Sequence, residues 1–210
     1  MRLRNNPNAN NILNECKYVI NEPELYKGKW LDVFDNNHPI HIEIGMGKGD
    51  FIIENAKKYS DINFIGIEKY PTVLASATSK LDDLELSNLK LIKADAINLK
   101  DIFDIHEIDQ LYLNFSDAWP KNSHEKRRLT YKDFIDVYKV ILKDNSHIIF
   151  KTDNRGLFEY SIISFNHYPL VINDICLDLH HSENYDNIET EYERKFSIYG
   201  PIYRIDVSFE

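Results

Sequence analysis

The chain is short of several things, and each shortage removes a class of protein. It holds only two cysteines, Cys16 and Cys176. Two cysteines alone make neither a disulfide framework nor a four-ligand zinc site. They read as reduced thiols of a cytoplasmic protein. No apolar run approaches the roughly 20 residues that a membrane helix needs, so no membrane partner is expected. No apolar segment follows Met1-Arg2-Leu3-Arg4-Asn5-Asn6-Pro7, which predicts that there is no secretory signal. No internal repeat and no Pro/Gly/Ser linker divides the 210 residues, which predicts a single domain over 1–210. Residues 1–20 are rich in Asn and read as a loosely packed stretch or an arm. Positive charge is also scarce: 25 Lys/Arg face 34 Asp/Glu, a net charge of −9. Nucleic-acid binders usually rest on Lys and Arg that neutralise phosphates.

What is present is ordinary for a soluble globular chain, with 43% hydrophobic and 28% charged residues. The charge is unevenly placed. Phe115 to Lys132 carries five Lys/Arg (Lys121, Lys126, Arg127, Arg128, Lys132) against Asp117 and Glu125, a net +3 that leaves −12 elsewhere. An acidic chain can still present a basic face. Short strand-like runs alternate with helical ones. Strands are expected at 40–44, 63–67 ending at Glu68, 89–92, 110–115 and 146–150. Helices are expected at 50–58, from Pro71 to about Glu85, and at 131–142. Pro71 suits a first helical turn. This alternation with short links implies an α/β fold with a parallel sheet covered on both faces. Leu170 to Leu179 and Tyr203 to Phe209 read as a closing antiparallel hairpin, with a helical stretch from about Glu191 to Ile198 between them.

In open α/β sheets ligands bind at the carboxyl ends of the strands, and acids stand at several of these ends. The first strand runs into Glu43-Ile44-Gly45-Met46-Gly47-Lys48-Gly49-Asp50. Glycines let the backbone turn tightly and approach a ligand closely. A dinucleotide fingerprint would need glycine at position 50. The spacing Glu-x-Gly-x-Gly-x-Gly suits a ligand without a pyrophosphate, with Glu43 accepting from a cationic amine. Glu68, about 21 residues after Gly47, can accept both ribose hydroxyls. Asp95 can accept from an adenine amino group. Ammonium, ribose and adenine together describe S-adenosylmethionine. For any one of these acids, a helix N-cap is the ordinary alternative.

The fourth strand leads into Asn114-Phe115-Ser116-Asp117-Ala118-Trp119-Pro120-Lys121, and then His124-Glu125-Lys126-Arg127-Arg128-Leu129. These residues, with Phe150-Lys151-Thr152-Asp153-Asn154 and Thr190-Glu191-Tyr192-Glu193, make a sequence that resembles the bacterial tRNA (guanine-N(7)-)-methyltransferase family. The family pattern is an Asp-Pro-Trp-Pro-Lys run followed by His-x-Lys-Arg-Arg-Leu. The resemblance runs from Glu43 to the C-terminal helix. It implies a Rossmann-like class I S-adenosylmethionine-dependent methyltransferase fold with a mostly parallel seven-stranded sheet. It implies methyl transfer to N(7) of a guanine in tRNA, the variable-loop guanine at position 46 in tRNA numbering, by a monomer or homodimer. By the same resemblance Glu43, Gly45, Gly47, Glu68, Asp95 and Asp117 hold the methyl donor, with Asp117 catalytic. Lys121, Asp153, Thr190, Glu191, Tyr192 and Glu193 would hold the substrate, and His124, Glu125, Lys126, Arg127, Arg128 and Leu129 would touch RNA. Two departures stand out: Ala118 replaces the usual proline, and Asn122-Ser123 stands where a basic residue is common.

The chemistry asks for little. Guanine N(7) has an in-plane lone pair and no proton to lose, so no strong base and no metal is needed. The enzyme must align N(7) with the methyl carbon. Asp117 can stabilise the charge that appears on the purine, or accept from the guanine N(1)–H and exocyclic amine. Trp119 offers a face for an exposed base; packing within its loop is the alternative. Thr190 and Glu193 also have capping-box spacing. His180 and His181, with Asp178 and Glu183, read as a polar loop. Arg2 and Arg4 of the N-terminal arm are expected to order on tRNA. A non-catalytic tRNA-binding subunit of the same fold, a methyltransferase with another substrate and a nicotinamide oxidoreductase are the rival readings.

Overall fold

Glycine-punctuated strands alternating with amphipathic helices can bury both faces only as a layered sheet. A computed structural model, which describes residues 5–183 and 185–209, has that arrangement. In chain order the elements are α1 (Ala9–Glu15), β1 (Val19–Ile20), α2 (Trp30–Phe34), β2 (Ile40–Ile44), α3 (Asp50–Lys58), β3 (Asn63–Glu68), α4 (Pro71–Thr78), β4 (Leu89–Lys93), α5 (Leu99–Ile102), β5 (Ile108–Asn114), α6 (Lys132–Ile141), β6 (Leu142–Thr152), α7 (Arg155–Phe165), β7 (Leu170–Cys176), α8 (Glu191–Phe196) and β8 (Tyr203–Phe209). The strand order is β1-β4-β3-β2-β5-β6-β8-β7. Pairs from β1 to β6 are parallel, and β8 runs antiparallel between β6 and β7. The expected α/β fold with a C-terminal antiparallel pair is therefore present. β1, two residues long, adds an eighth strand to the expected seven.

Side-chain alternation divides the core between the two faces. Ile40, Ile42 and Ile44 of β2, Leu111 and Leu113 of β5, and Ile148 and Phe150 of β6 pack under α2, α5, α6 and α7. On the opposite face α1, α3 and α4 cover Phe64, Leu89 and Leu91. All six residues of β3 are buried, which is why this central strand reads as a nearly continuous apolar run. Because β4, β3, β2, β5 and β6 are parallel, their carboxyl ends share one edge. Asp95, Glu68, Gly45, Asp117 and Asp153 follow those ends.

Several elements differ from the sequence reading, each for a local reason. Within the N-terminal stretch, Ala9 and Leu13, one helical turn apart, are buried against α4. Val19 then pairs with Leu91 to extend the sheet. Arg2 and Arg4 lie outside the described residues. Helix α4 stops at Thr78, well before Glu85. The hydroxyls of Ser76, Thr78 and Ser79 donate to carbonyls three residues back, a local bond that competes with the helix ladder. Helix α7 was not foreseen; Asn154 caps it by accepting from Leu157 N at 2.8 Å. β6 starts earlier than residue 146 because Leu142 pairs with Ile108 across a register shift. β7 ends at Cys176, short of Leu179.

Candidate active site

The strand-end edge gathers the acids that the sequence singled out. At the end of β2, Gly45 and Gly47 have φ of +75° and +58°, the left-handed region that other residues enter at a cost. A Cβ added at either would meet nothing within 4 Å. The turn is thus open on its outer side, as a loop that cradles a ligand must be. Gly45 N and Met46 N both donate to Ile67 O of β3, at 2.8 and 3.1 Å, fixing the loop to the neighbouring strand. Glu68, at the end of β3, accepts from Gly47 N at 3.2 Å and from Tyr70 N at 2.9 Å. Burial pushes its carboxyl above the ordinary value, backbone donors pull it back, and the charge of Asp117 adds to the rise. Asp95 accepts from Ile97 N and pairs with Lys69 at 2.6 Å, so the capping alternative is realised for this residue.

Glu43 is the most perturbed group of the set. It is buried beside Asn114 of β5, whose Nδ2 donates to Glu43 Oε1 at 2.8 Å. Desolvation raises its carboxyl to about 8, against the opposing effects of Asn114 and Lys151. Glu43 Oε2 and Asn114 Oδ1 are both buried without a hydrogen-bond partner among the described residues. Buried polar atoms are nearly always partnered. Two orphaned acceptors at the mouth of the glycine turn fit a ligand that brings its own donors, such as an ammonium. The sequence did not single out Asn114, because its neighbour is set by the β2–β5 pairing and not by chain distance.

The segment after β5 is held in an unusual conformation. Phe115 has φ +51° and Trp119 φ +42°, positions that cost of order 1–3 kcal/mol each outside glycine. Between them Asp117 is exposed. Arg128 secures the far side: its Nε donates to Ala118 O at 3.2 Å and its guanidinium to Trp119 O at 3.0 Å, and it stacks 4.2 Å from the Tyr160 ring centroid. Arg128 is only 9% exposed. Two of its donors are thus committed to loop carbonyls, unlike those of its neighbours Lys126 and Arg127. Leu129 likewise packs against the core. Lys121, Lys126 and Arg127 are exposed. Arg127 lies 4.8 Å from the Trp119 ring centroid, and His124 meets Trp119 edge-on at 5.7 Å. Glu125 is half-buried.

The C-terminal segment closes on the same edge. Asn154, not Asp153, caps α7, which leaves Asp153 to accept from Tyr192 OH at 3.0 Å. Tyr192 in turn packs on Phe115 at 5.1 Å. Glu191 pairs with Lys48 of the glycine turn at 2.8 Å. Thr190 accepts from Glu193 N at 2.9 Å, but Glu193 does not close the reciprocal half of a capping box. Its carboxylate is fully buried and meets Lys151 at 2.8 Å, with Asn187 and His180 on the other oxygen. Glu193 thus anchors the segment from below, and a substrate does not reach it without displacing these partners.

A cleft of 420 Å³ lies lower on this sheet face, lined by His41, Tyr112, His147, Lys151 and Arg204 among others. Its charged groups are paired, His147 with Asp206 and Arg204 with Asp206 and with Asp174 beyond the cleft. Burial holds His41 down to about 4, so it is neutral. The convergent acids, with the unpartnered Glu43 Oε2 and Asn114 Oδ1, are at the strand ends instead.

A family model described as "Putative methyltransferase" matches residues 37–203. The chain is 53% identical to the tRNA (guanine-N(7)-)-methyltransferase of Geobacillus sp. (strain WCH70), over all of this chain and 96% of that one. It is 52% identical to the enzyme of that name from Streptococcus suis (strain 05ZYH33), over the full length of both. Among solved structures, the 16S rRNA methyltransferase KamB superposes with a TM-score of 0.66 at 10% identity, over 87% of this chain and 93% of that one. An antibiotic-related methyltransferase superposes with a TM-score of 0.62 at 18% identity, over 86% and 92%. These two show a shared fold. With the full-length relatives at about half identity, the chain belongs to the tRNA (guanine-N(7)-)-methyltransferase family.

Proposed function

We propose that this protein transfers a methyl group from S-adenosylmethionine to N(7) of a guanine in tRNA. The observation that carries the reading is the exposed Asp117 on its strained loop, beside Glu68 and the open glycine turn, in a chain matched end to end by enzymes of that name. The donor supplies an electrophilic methyl carbon on a sulfonium. The residues do the rest by placement. Glu43 Oε2 and Asn114 Oδ1 offer acceptors to the donor's ammonium, Glu68 to its ribose, and Asp95 to its adenine. Asp117 faces the reacting purine, where a carboxylate stabilises positive charge or accepts from N(1)–H and the exocyclic amine. Lys121, Asp153 and the segment Thr190 to Tyr192 border the substrate, with Glu193 beneath them. His124, Lys126 and Arg127 face the RNA.

We further assign the variable-loop guanine at position 46 as the target, on the family resemblance. We also take residues 1–210 as one methyltransferase domain, acting in the cytoplasm as a monomer or homodimer. Among the described residues no helix is long and apolar enough to cross a membrane.

The test is direct. Purified protein is incubated with methyl-labelled donor and unmodified tRNA, and the RNA is digested to nucleosides. The expected product is 7-methylguanosine, mapped to position 46. Asp117→Ala is expected to lower kcat at least a hundredfold, with donor binding retained within a fewfold. Label in another nucleoside would overturn the substrate reading. Donor binding and tRNA binding without any label would favour the non-catalytic subunit.

A further inference from the structure

Beyond the acids, a row of aromatic rings continues outward from the substrate segment, past the residues assigned to the reaction. Phe115, Tyr192, Phe196 and Tyr199 form a continuous file of rings. Centroid separations are 5.1 Å from Phe115 to Tyr192, 4.3 Å from Tyr192 to Phe196 and 6.1 Å from Phe196 to Tyr199. The inner end belongs to the reacting loop, since Phe115 is two residues before Asp117 and packs against Cys176, Leu179 and Ile202. The outer end is open: Tyr192 is 41% exposed, Tyr199 78%, and Ile198 beside it 77%.

The file is held in place before any partner arrives. Tyr192 OH is tied to Asp153 and the helix bearing it is pinned by the buried Glu193–Lys151 pair. Thr190 caps that helix. One exposed cation flanks the rings. Lys195 is exposed and its ammonium lies 5.5 Å from the Phe196 centroid. A preset row of rings, exposed at Tyr192 and Tyr199 and with a flanking cation, leading outward from a reacting carboxylate, has the composition of a single-strand nucleic-acid platform. Every base has a π-face, and aromatic stacking together with a nearby cation serves it irrespective of sequence.

We infer that Phe196 and Tyr199 extend the Tyr192 platform into a stacking ladder for the unpaired nucleobases beside the target guanine. This rests on the tRNA reading above. The ladder selects RNA whose strand is open next to the target, and it adds affinity that does not come from phosphate contacts.

Tyr199 is on the surface, so its loss leaves folding intact; circular dichroism of each variant checks this. Steady-state methylation of tRNA would be measured for wild type, Tyr199→Ala, Phe196→Ala and Tyr199→Trp, at several salt concentrations, with donor affinity by calorimetry. Tyr199→Ala is expected to raise KM for tRNA roughly 5- to 100-fold, the range of one lost stacking contact. kcat should stay within twofold, and donor affinity should not change. Tyr199→Trp is expected to restore KM. The slope of log affinity against log salt should match wild type, because stacking releases no counterions. A Tyr199→Ala enzyme with unchanged KM would overturn the ladder, and so would a loss accompanied by a shallower salt slope. Unchanged KM with a smaller sedimentation coefficient would assign the patch to a second copy of the chain instead. A wild-type protein that leaves tRNA unlabelled overturns the function reading and the ladder together; labelled tRNA with an indifferent Tyr199 overturns the ladder alone.

Discussion

Glu43 shows how much one side chain can hold in reserve. Its carboxyl sits at about 8 because burial disfavours the charge. The folded state therefore binds a proton that the unfolded state, near 4.5, releases. Stability from this group is fully present below pH 4.5 and is lost as pH rises through about 8. The melting temperature of wild-type protein without donor should fall relative to Glu43→Gln between pH 5 and pH 8.5. Parallel melting curves over that window would refute a buried, protonated Glu43. Arg128 makes a second point at this scale. In the sequence it is one of three adjacent cations, yet only its neighbours Lys126 and Arg127 point outward. The run of charge was legible, but which member would fold back onto Ala118 and Trp119 was not, because that depends on a loop with two positive-φ residues.

At the level of elements, the substrate-side helix α8 is short and would be weak alone, since six residues barely pass the nucleation cost. What holds it is the Lys151–Glu193 pair, with side chains 3% and 0% exposed, reinforced by Asn187, Ile188 O and His180. Removing one partner leaves a buried charge unpaired, which costs about 3–5 kcal/mol. Glu193→Gln and Lys151→Met should each lower the urea midpoint accordingly. The double variant should lose less than the two losses added, because the second substitution removes the charge the first had stranded. Strict additivity would show that the two do not interact. β2, β3, β4 and β8 were readable from their own apolar spacing. α7 was missed because its buried residues, Leu157, Phe158, Ser161 and Phe165, are interrupted by exposed Ile163 and include a serine. α1 was missed because its three apolar residues, Ala9, Ile12 and Leu13, cover a single turn among asparagines, too short a run to show a period.

Across the whole molecule the net charge of −9 opposes binding to any polyanion, so the basic face must act locally. On the tRNA reading, affinity should fall steeply with salt, and the slope counts the phosphates engaged. Replacing Lys126 and Arg127 together by Gln should lower the log–log slope by about 1 per charge removed. Arg128→Gln should not lower it, since that guanidinium faces protein carbonyls. Filter binding over a range of salt decides this, and a shallower slope for Arg128→Gln would return it to the RNA-facing group.

The sequence alone determined the α/β alternation, the glycine turn, the acids at strand ends and the family, because these are local: apolar period, φ freedom and spacing are all written within a few residues. The tertiary structure decided what lies between distant segments. It set Asn114 against Glu43, Lys151 beneath Glu193, Tyr192 on Phe115, and Arg128 under its own loop. Arg128, nine residues from Trp119, depends on the loop that carries it, and the other three on strand order and on which face a side chain takes. Those are settled only when the whole sheet is assembled, since a contact across 30 to 80 residues has no signature in either segment by itself.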